Sequence, residues 1–233
     1  MTEAERCLPF TSLPERHGLY DPRFEHDACG VSFVVDIKGR PDHDVVATAL
    51  GALCNLEHRG AQGAETTTGD GAGILVQVPD RFFRGVSGVE LPAAGGYGVG
   101  LAFVPREPCH AQKAIGCIER LAREEELRVL GWREVPTDDR DVGPTARSVM
   151  PGFQHVFIED PAGSTGIELD RKLFVLRKRI EHEQPREHAV YLPSLSSRTL
   201  VYKGMLTAPQ LAVFFPELHD ERFESALALV HSR

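Results

Sequence analysis

The sequence predicts a mixed α/β domain in which helices cover the faces of sheets. Three observations carry that expectation. Apolar residues alternate with other types at Val31, Phe33, Val35 and Ile37 and again at Tyr97, Val99, Leu101 and Phe103, the period of a strand. Leu169, Leu173, Leu176 and Ile180 recur at three and four residues, the period of a helix with one apolar face. Glycine and proline punctuate the chain between such segments, so strands and helices interleave.

In chain order, a polar leader broken by Pro9, Pro14 and Pro22 runs to residue 28, and the first strand opens at Cys29-Gly30. The alternation from Val31 to Ile37 predicts one well-buried face. Gly39-Arg40-Pro41 ends it. From Asp42 or Asp44, the stripe Val46, Leu50, Leu53 and Leu56 predicts a helix to about Glu57, with acidic residues where the helix dipole favours them. Residues 58–73 carry five glycines and almost no bulky apolar side chain, which marks a long loop of the kind that is usually functional. A strand follows at 74–78 and stops at Pro79. In the strand 97–103, the face opposite Tyr97 offers Gly98, Gly100 and Ala102, small enough for another layer to approach closely.

Pro108 opens a helix on which Ile115, Ile118 and Ala122 align, flanked by Cys109 and Cys117. Residues 128–135 read as extended, 136–151 as polar and rich in breakers, and 153–159 as a strand. The helix through 169–180 presents Arg171, Lys172, Arg177, Lys178 and Arg179 on its polar face, a run that reads as solvated surface. Short strands are expected at 190–192 and 198–202, a turn or short helix at 209–215, and a strand at 224–231. The chain then stops at Arg233 without a turn, cap or polar tail, which reads as a cut end.

Composition narrows the function classes. A chain of 233 residues with 42% hydrophobic content can bury a real core. Its formal charge of −8 is spread through both halves, which gives no support to binding nucleic acid or an anionic membrane. The apolar segments are far shorter than the ~20 residues that span a bilayer, and the leader lacks the apolar core of a secretory signal, so a cytoplasmic protein is expected. Five cysteines, Cys7, Cys29, Cys54, Cys109 and Cys117, stand at irregular spacings without a CxxC pair. Cys54 reads as a small buried hydrophobe in the first helix. His43, Asp44, His155, His182 and His188 show no metal-ligand spacing.

Cys29 admits two readings, a buried cysteine at a strand start or a nucleophile. Removal of the leader would make it the N-terminal residue, with its own α-amine as base. Small Ala28 before it and Gly30 after it leave the peptide bond accessible. The loop Thr68-Gly69-Asp70-Gly71-Ala72-Gly73 lacks the lysine-serine ending of a phosphate loop and enters a strand instead of a helix. A tight turn wrapping the strand, with Asp70 capping backbone donors, is the alternative. His58-Arg59 follows the first helix and is within reach of the start of the first strand, where an arginine would help hold a thiolate or a carboxylate.

Taken together, Cys29-Gly30-Val31-Ser32-Phe33, Leu56-Glu57-His58-Arg59-Gly60-Ala61, Thr68-Gly69-Asp70-Gly71-Ala72-Gly73-Ile74 and Pro79-Asp80-Arg81-Phe82-Phe83 resemble, in order and spacing, the start of the large (alpha) subunit of glutamate synthases. The resemblance continues to Val230-His231-Ser232-Arg233 and so covers essentially the whole chain. It implies an α+β fold, the four-layer αββα sandwich of N-terminal-nucleophile hydrolases, incomplete at the C-terminus. Residues 1–28 would be a propeptide and 29–233 a partial class II glutamine amidotransferase domain.

By the same resemblance Cys29 is the nucleophile that forms a thioester with glutamine. Arg59 lies beside it, and Arg233 binds the glutamine α-carboxylate. The released ammonia supplies reductive amination of 2-oxoglutarate. No cofactor belongs to this segment; FMN and an iron–sulfur cluster are expected only downstream. The implied partners are glutamine, the remainder of the large subunit and the small subunit. Relatives take their oxyanion donors from an Asn-Gly pair after the arginine and hold the substrate amine with a later aspartate. Neither stands in this sequence, so the isolated chain is expected to be nearly inert and to keep its leader. A non-catalytic fragment serving as a binding partner or remnant is the alternative.

Overall fold

The structure is a computed structural model that describes residues 16–18, 21, 29–61, 65–185 and 189–233. Of the leader expected as a propeptide, only 16–18 and 21 fall among these, and Arg16 there pairs with Asp21 at 3.7 Å. Cys7 and His188 lie outside the described residues.

Strand β1 (Gly30–Val35) turns into α1 (His43–Asn55), whose start is capped by Asp42 accepting the Asp44 amide at 2.8 Å. A 3₁₀ turn (Glu57–Arg59) leads to the glycine-rich loop, then β2 (Ala72–Gln77), α2 (Asp80–Val86) and β3 (Tyr97–Val104). Helix α3 (Pro108–Glu124) starts on Pro108, and Glu107 caps it by accepting the amides of Cys109 and His110. After it come β4 (Arg128–Glu134), α4 (Pro144–Ser148), β5 (Gly152–Glu159) and α5 (Gly166–Glu183). The chain ends with β6 (Thr199–Gly204), α6 (Gln210–Phe214), a 3₁₀ turn (Pro216–His219) and β7 (Leu227–Ser232).

These strands form two antiparallel sheets, ordered β1-β7-β2-β6 and β3-β5-β4, in an α+β arrangement. In the second sheet α3 and α5 pack side by side on one face. Leu169, Leu173, Leu176 and Ile180 of α5 are each at most 1% exposed, against Ala102, Val104, Val156 and Ile158 of the strands. Burying each such side chain contributes roughly 1.5–3 kcal/mol. Gly98 and Gly100 do what their size suggested: a methyl group at 98 would run into Leu173, and one at 100 would come within 2.8 Å of the Ser194 carbonyl.

The basic run on α5 is largely engaged within the protein. Arg179 bonds to Glu124, Glu125 and Glu183, Lys172 to Asp160, and Arg177 to the carbonyl of Pro193. Cys109 and Cys117 lie within α3 instead of flanking it. The expected strand at 190–192 is reduced to a bridge between Tyr191 and Phe103, with a second between Ser196 and Val99. These bridges stitch the approach to β6 along the free side of β3.

In the first sheet, α1 lies across β1 and β7, and the apolar core fills the same face beyond it. The alternation in β1 is real but its burial is the reverse of that expected. Val31 and Phe33 are 63% and 66% exposed, and Val35 and Ile37 are exposed too, while Gly30 is buried and Ser32 and Val34 half-buried on the α1 side. Alternation fixes which residues share a face; it carries no information on which face α1 covers. Cys54 is likewise exposed, on the outer side of α1. The α1 residues that enter the core are Val45, Val46, Ala49, Leu50 and Leu53. Helix α2 was not foreseen; its Phe82 and Phe83 plug the core beside Phe157 and Phe223.

Four polar side chains, three of them buried and Arg133 partly so, join the two sheets. Arg133 of β4 donates to Glu217 at 2.8 Å and to Nδ1 of His155, on β5, at 3.1 Å. An arginine can only donate, so Nδ1 accepts and the His155 proton sits on Nε2. That nitrogen donates to the Tyr202 hydroxyl of β6 at 2.9 Å, and Tyr202 donates in turn to Glu217. Burial, reinforced by Arg133, holds His155 well below its ordinary pKa and therefore neutral, as this circuit requires. Burial pushes Glu217 upward, which the bonds from Tyr202 and Arg133 oppose. Replacing Arg133 by Met should therefore cost about 3–5 kcal/mol, because it strands a buried carboxylate. Adding Glu217→Leu should recover most of that loss in urea denaturation. A single variant as stable as the parent would show that the ion pair is dispensable.

Candidate active site

Three of the four sequence motifs converge at one end of the first sheet. Cys29 is exposed and immediately precedes β1, where Gly30 is the last residue paired with β7, opposite Ser232. The Gly30 backbone lies against Leu56 and Arg59. A methyl group on Gly30 would meet the Cβ atoms of these residues at 3.1 and 3.2 Å, so the stem of Arg59 stands directly beside the residue that follows Cys29. Arg59 itself is exposed, at the end of the 3₁₀ turn that continues α1.

The turn then passes the end of β7. At Gly60 any side chain would meet the Ser232 hydroxyl at 2.6 Å, and the next amide, Ala61, donates to the Arg233 carbonyl at 2.8 Å. The Arg233 amide donates to Gly71 at 2.9 Å, and the Asp70 amide donates to Ala61 at 3.0 Å. The His-Arg-Gly-Ala segment, the glycine-rich loop and the last residues of β7 are thus laced together through their backbones. Cys29, Arg59 and Arg233 are brought to one edge by this lacing. The fourth motif, Pro79 to Phe83, forms the start of α2 beyond the opposite end of β2 and serves the core.

The glycine-rich loop enters a strand and is anchored by side chains outside the motif. Gln210 donates to the carbonyls of Thr67 and Asp141 and accepts the Thr207 amide at 2.8 Å. Glu65 accepts from Thr68 and from the Thr145 amide, both at 2.7 Å, and these bonds hold its carboxylate below the usual range. The capping role expected of Asp70 falls to Glu65; the Asp70 side chain is exposed and makes no hydrogen bond among the described residues. Gln210 and Glu65 were not singled out from sequence, and Ser232 stood there only as part of the motif Val230-His231-Ser232-Arg233. Their one signal there is that Glu65 is the only acid in the first half of the loop and Gln210 follows a proline at a helix start.

Cys29, Cys54, Cys109 and Cys117 are all free thiols, and no group of three His, Cys, Asp or Glu side chains among the described residues is placed to hold a metal. No helix among the described residues is long and apolar enough to cross a membrane.

The model of the class II glutamine amidotransferases matches residues 29–233, beginning on Cys29. The chain belongs to this family. Its relatives include the glutamate synthase [NADPH] large chain of Bacillus subtilis, 43% identical over 97% of this chain. The glutamate synthase [NADPH] large chain of Azospirillum brasilense is 40% identical over 92% of this chain, and ferredoxin-dependent glutamate synthase 1 of Arabidopsis thaliana is 38% identical over the whole of this chain. The chain spans only 14–15% of the length of these relatives. Antiparallel sheets faced by helices accord with the α+β fold of class II amidotransferases.

The close fit at Gly60 gives a direct test of how this amidotransferase edge is held. Gly60→Ala should cost about 1–3 kcal/mol in urea denaturation, because the added methyl displaces the buried Ser232 hydroxyl. Ser232→Ala in the same protein should restore most of it. Equal stability of Gly60→Ala and the parent, or no recovery in the double variant, would mean that the two residues are not in contact.

Proposed function

We propose that residues 29–233 are the glutaminase part of a glutamate synthase, with Cys29 as the nucleophile once residues 1–28 have been removed. The observation that carries this reading is the convergence of Cys29, Arg59 and Arg233, which are far apart in sequence, at one end of one sheet. The start of the family match at Cys29 supports the boundary between propeptide and domain.

In this reading the freed α-amine of Cys29, with an ordinary pKa near ~7.7–8.0, takes the thiol proton. The sulfur attacks the γ-carbonyl carbon of glutamine, and the carbon–nitrogen bond breaks. The ammonium returns its proton to the departing nitrogen, which leaves as ammonia. Water, deprotonated by the same amine, adds to the γ-glutamyl thioester, the thiolate departs and glutamate is released. Arg233 offers its planar fork to the α-carboxylate, a geometry that suits arginine and not lysine. The family resemblance assigns the oxyanion donors to residues after Arg233, and FMN and the iron–sulfur cluster to regions outside this segment. Ammonia would pass there to aminate 2-oxoglutarate, in a cytoplasmic enzyme.

The test is glutamine hydrolysis by this chain, alone and extended by the region that follows in the Bacillus subtilis relative. The extended protein should release ammonia and Cys29→Ala should not; retention of the parent rate by Cys29→Ala would overturn the assignment. Arg233→Lys in the extended protein should raise KM for glutamine about 10- to 100-fold, the loss of one charge-assisted hydrogen bond of about 1.5–3 kcal/mol. An unchanged KM would remove Arg233 from the binding site.

A further inference from the structure

Two residues inward from Cys29 and Arg233, past the Gly30–Ser232 pair, the sheet carries an arrangement that the proposed chemistry does not use. Val31 of β1, His231 of β7, Gly73 of β2 and Lys203 of β6 stand opposite one another across the sheet. Strand alternation puts Cys29 and Arg233 on the same face as Val31 and His231, away from α1. The His231 ring leans toward β2. A methyl group on Gly73 would fall 2.6 Å from its Cε1 atom, 3.0 Å from the Lys203 Cβ and 3.0 Å from the Tyr202 carbonyl oxygen. The imidazole therefore occupies space that exists only because residue 73 has no side chain.

On the far side Lys203 bounds that space with its Cβ, while its ammonium points elsewhere. The Lys203 ammonium is drawn away to Tyr191, 5.3 Å from the ring centre and 3.3 Å from its hydroxyl. His231 is half-buried, and burial together with the Lys203 charge lowers its pKa, so it is seated as a neutral ring. The Lys203 Cβ and the Tyr202 carbonyl close the β6 side, whereas the β1 side, where Val31 is exposed and Cys29 stands two residues beyond it, is open to a ring expelled from Gly73.

We propose that Gly73 is a positioning residue that, by receiving the His231 ring, keeps the ground in front of Cys29 open for the amide substrate. The proposal rests on the glutaminase reading of this edge, and its main readout is independent of that reading. Iodoacetamide alkylation of Cys29 in the 233-residue chain, followed by peptide mass spectrometry, measures access to the thiol directly, with exposed Cys54 and Cys109 as internal references. Gly73→Ala should slow Cys29 alkylation about 5-fold or more relative to those references, and His231→Ala added to it should return the rate to within about 3-fold of His231→Ala alone, the non-additivity expected of groups in contact. His231→Trp, which keeps Gly73 but overfills its space, should slow Cys29 in the same way and serves if Gly73→Ala does not fold.

In the extended protein Gly73→Ala should raise KM for glutamine about 10-fold while kcat changes less than about 3-fold, the pattern of lost access and not of lost chemistry. A parent-like alkylation rate in Gly73→Ala, or a double variant as slow as the single one, would overturn the proposal. Cys29→Ala assayed alongside separates the two claims: if it still hydrolyses glutamine the functional reading fails, while the alkylation ratios judge the Gly73–His231 pairing on their own.

Discussion

The pairing of Gly30 with Ser232 is the constraint on which the site depends. It joins the first strand to the last across some two hundred residues, and everything singled out for chemistry hangs from its two ends. Such a contact repays its loop-closure entropy only after the intervening chain has folded, although that cost rises slowly with loop length. Two neighbours hold it in place. On the α1 side, Leu56 and Arg59 press on Gly30, and Gly60 admits the Ser232 hydroxyl. On the β2 side, Gly71 and Ala61 take up the backbone of Arg233. The short, small residues of the motifs are there because backbones, not side chains, meet at this edge.

Behind the edge, the two sheets are fastened by a polar circuit and not by apolar packing alone. Arg133, His155, Tyr202 and Glu217 each satisfy the others, and the direction of every proton follows from the one group that cannot accept. A buried ion pair of this sort adds little net stability compared with an apolar replacement, but it penalises any arrangement that separates its members. Its members come from β4, β5, β6 and the turn at Pro216–His219, so the circuit fixes the position of β6 and, through β6, of β2 and β7. The site edge inherits its position from this interior.

Much of this architecture was legible in the sequence, for reasons that differ by element. Helix α5 was readable because its apolar period is long and one sheet covers it, and strands β3 and β5 because they are rich in apolar residues and buried on both faces. Gly98 and Gly100 were readable as contact points because a strand face of small residues has few other uses. β1 misled because alternation in an edge strand shows that two faces exist without showing which one α1 occupies, and Cys54 misled because an apolar neighbourhood in sequence spans both sides of a helix. The position of Arg59 after the first helix put it near the start of β1, and family resemblance put Arg233 at the same site, but the close fit of Gly60 on Ser232 and of Gly71 on Arg233 was invisible to spacing. Gln210 and Glu65, which anchor the loop, sit far from the segments they hold, and nothing local marks them.

The central claim is that the edge carrying Cys29 and Arg233 recognises glutamine. A diazoketone analogue of glutamine, which alkylates a thiol that it reaches through the amino-acid recognition site, tests that claim directly. In the protein extended beyond Arg233, mass spectrometry should find one adduct, on Cys29, and excess glutamine should suppress it. An adduct on Cys54 or Cys109 instead, or labelling of Cys29 that glutamine does not compete, would contradict the account.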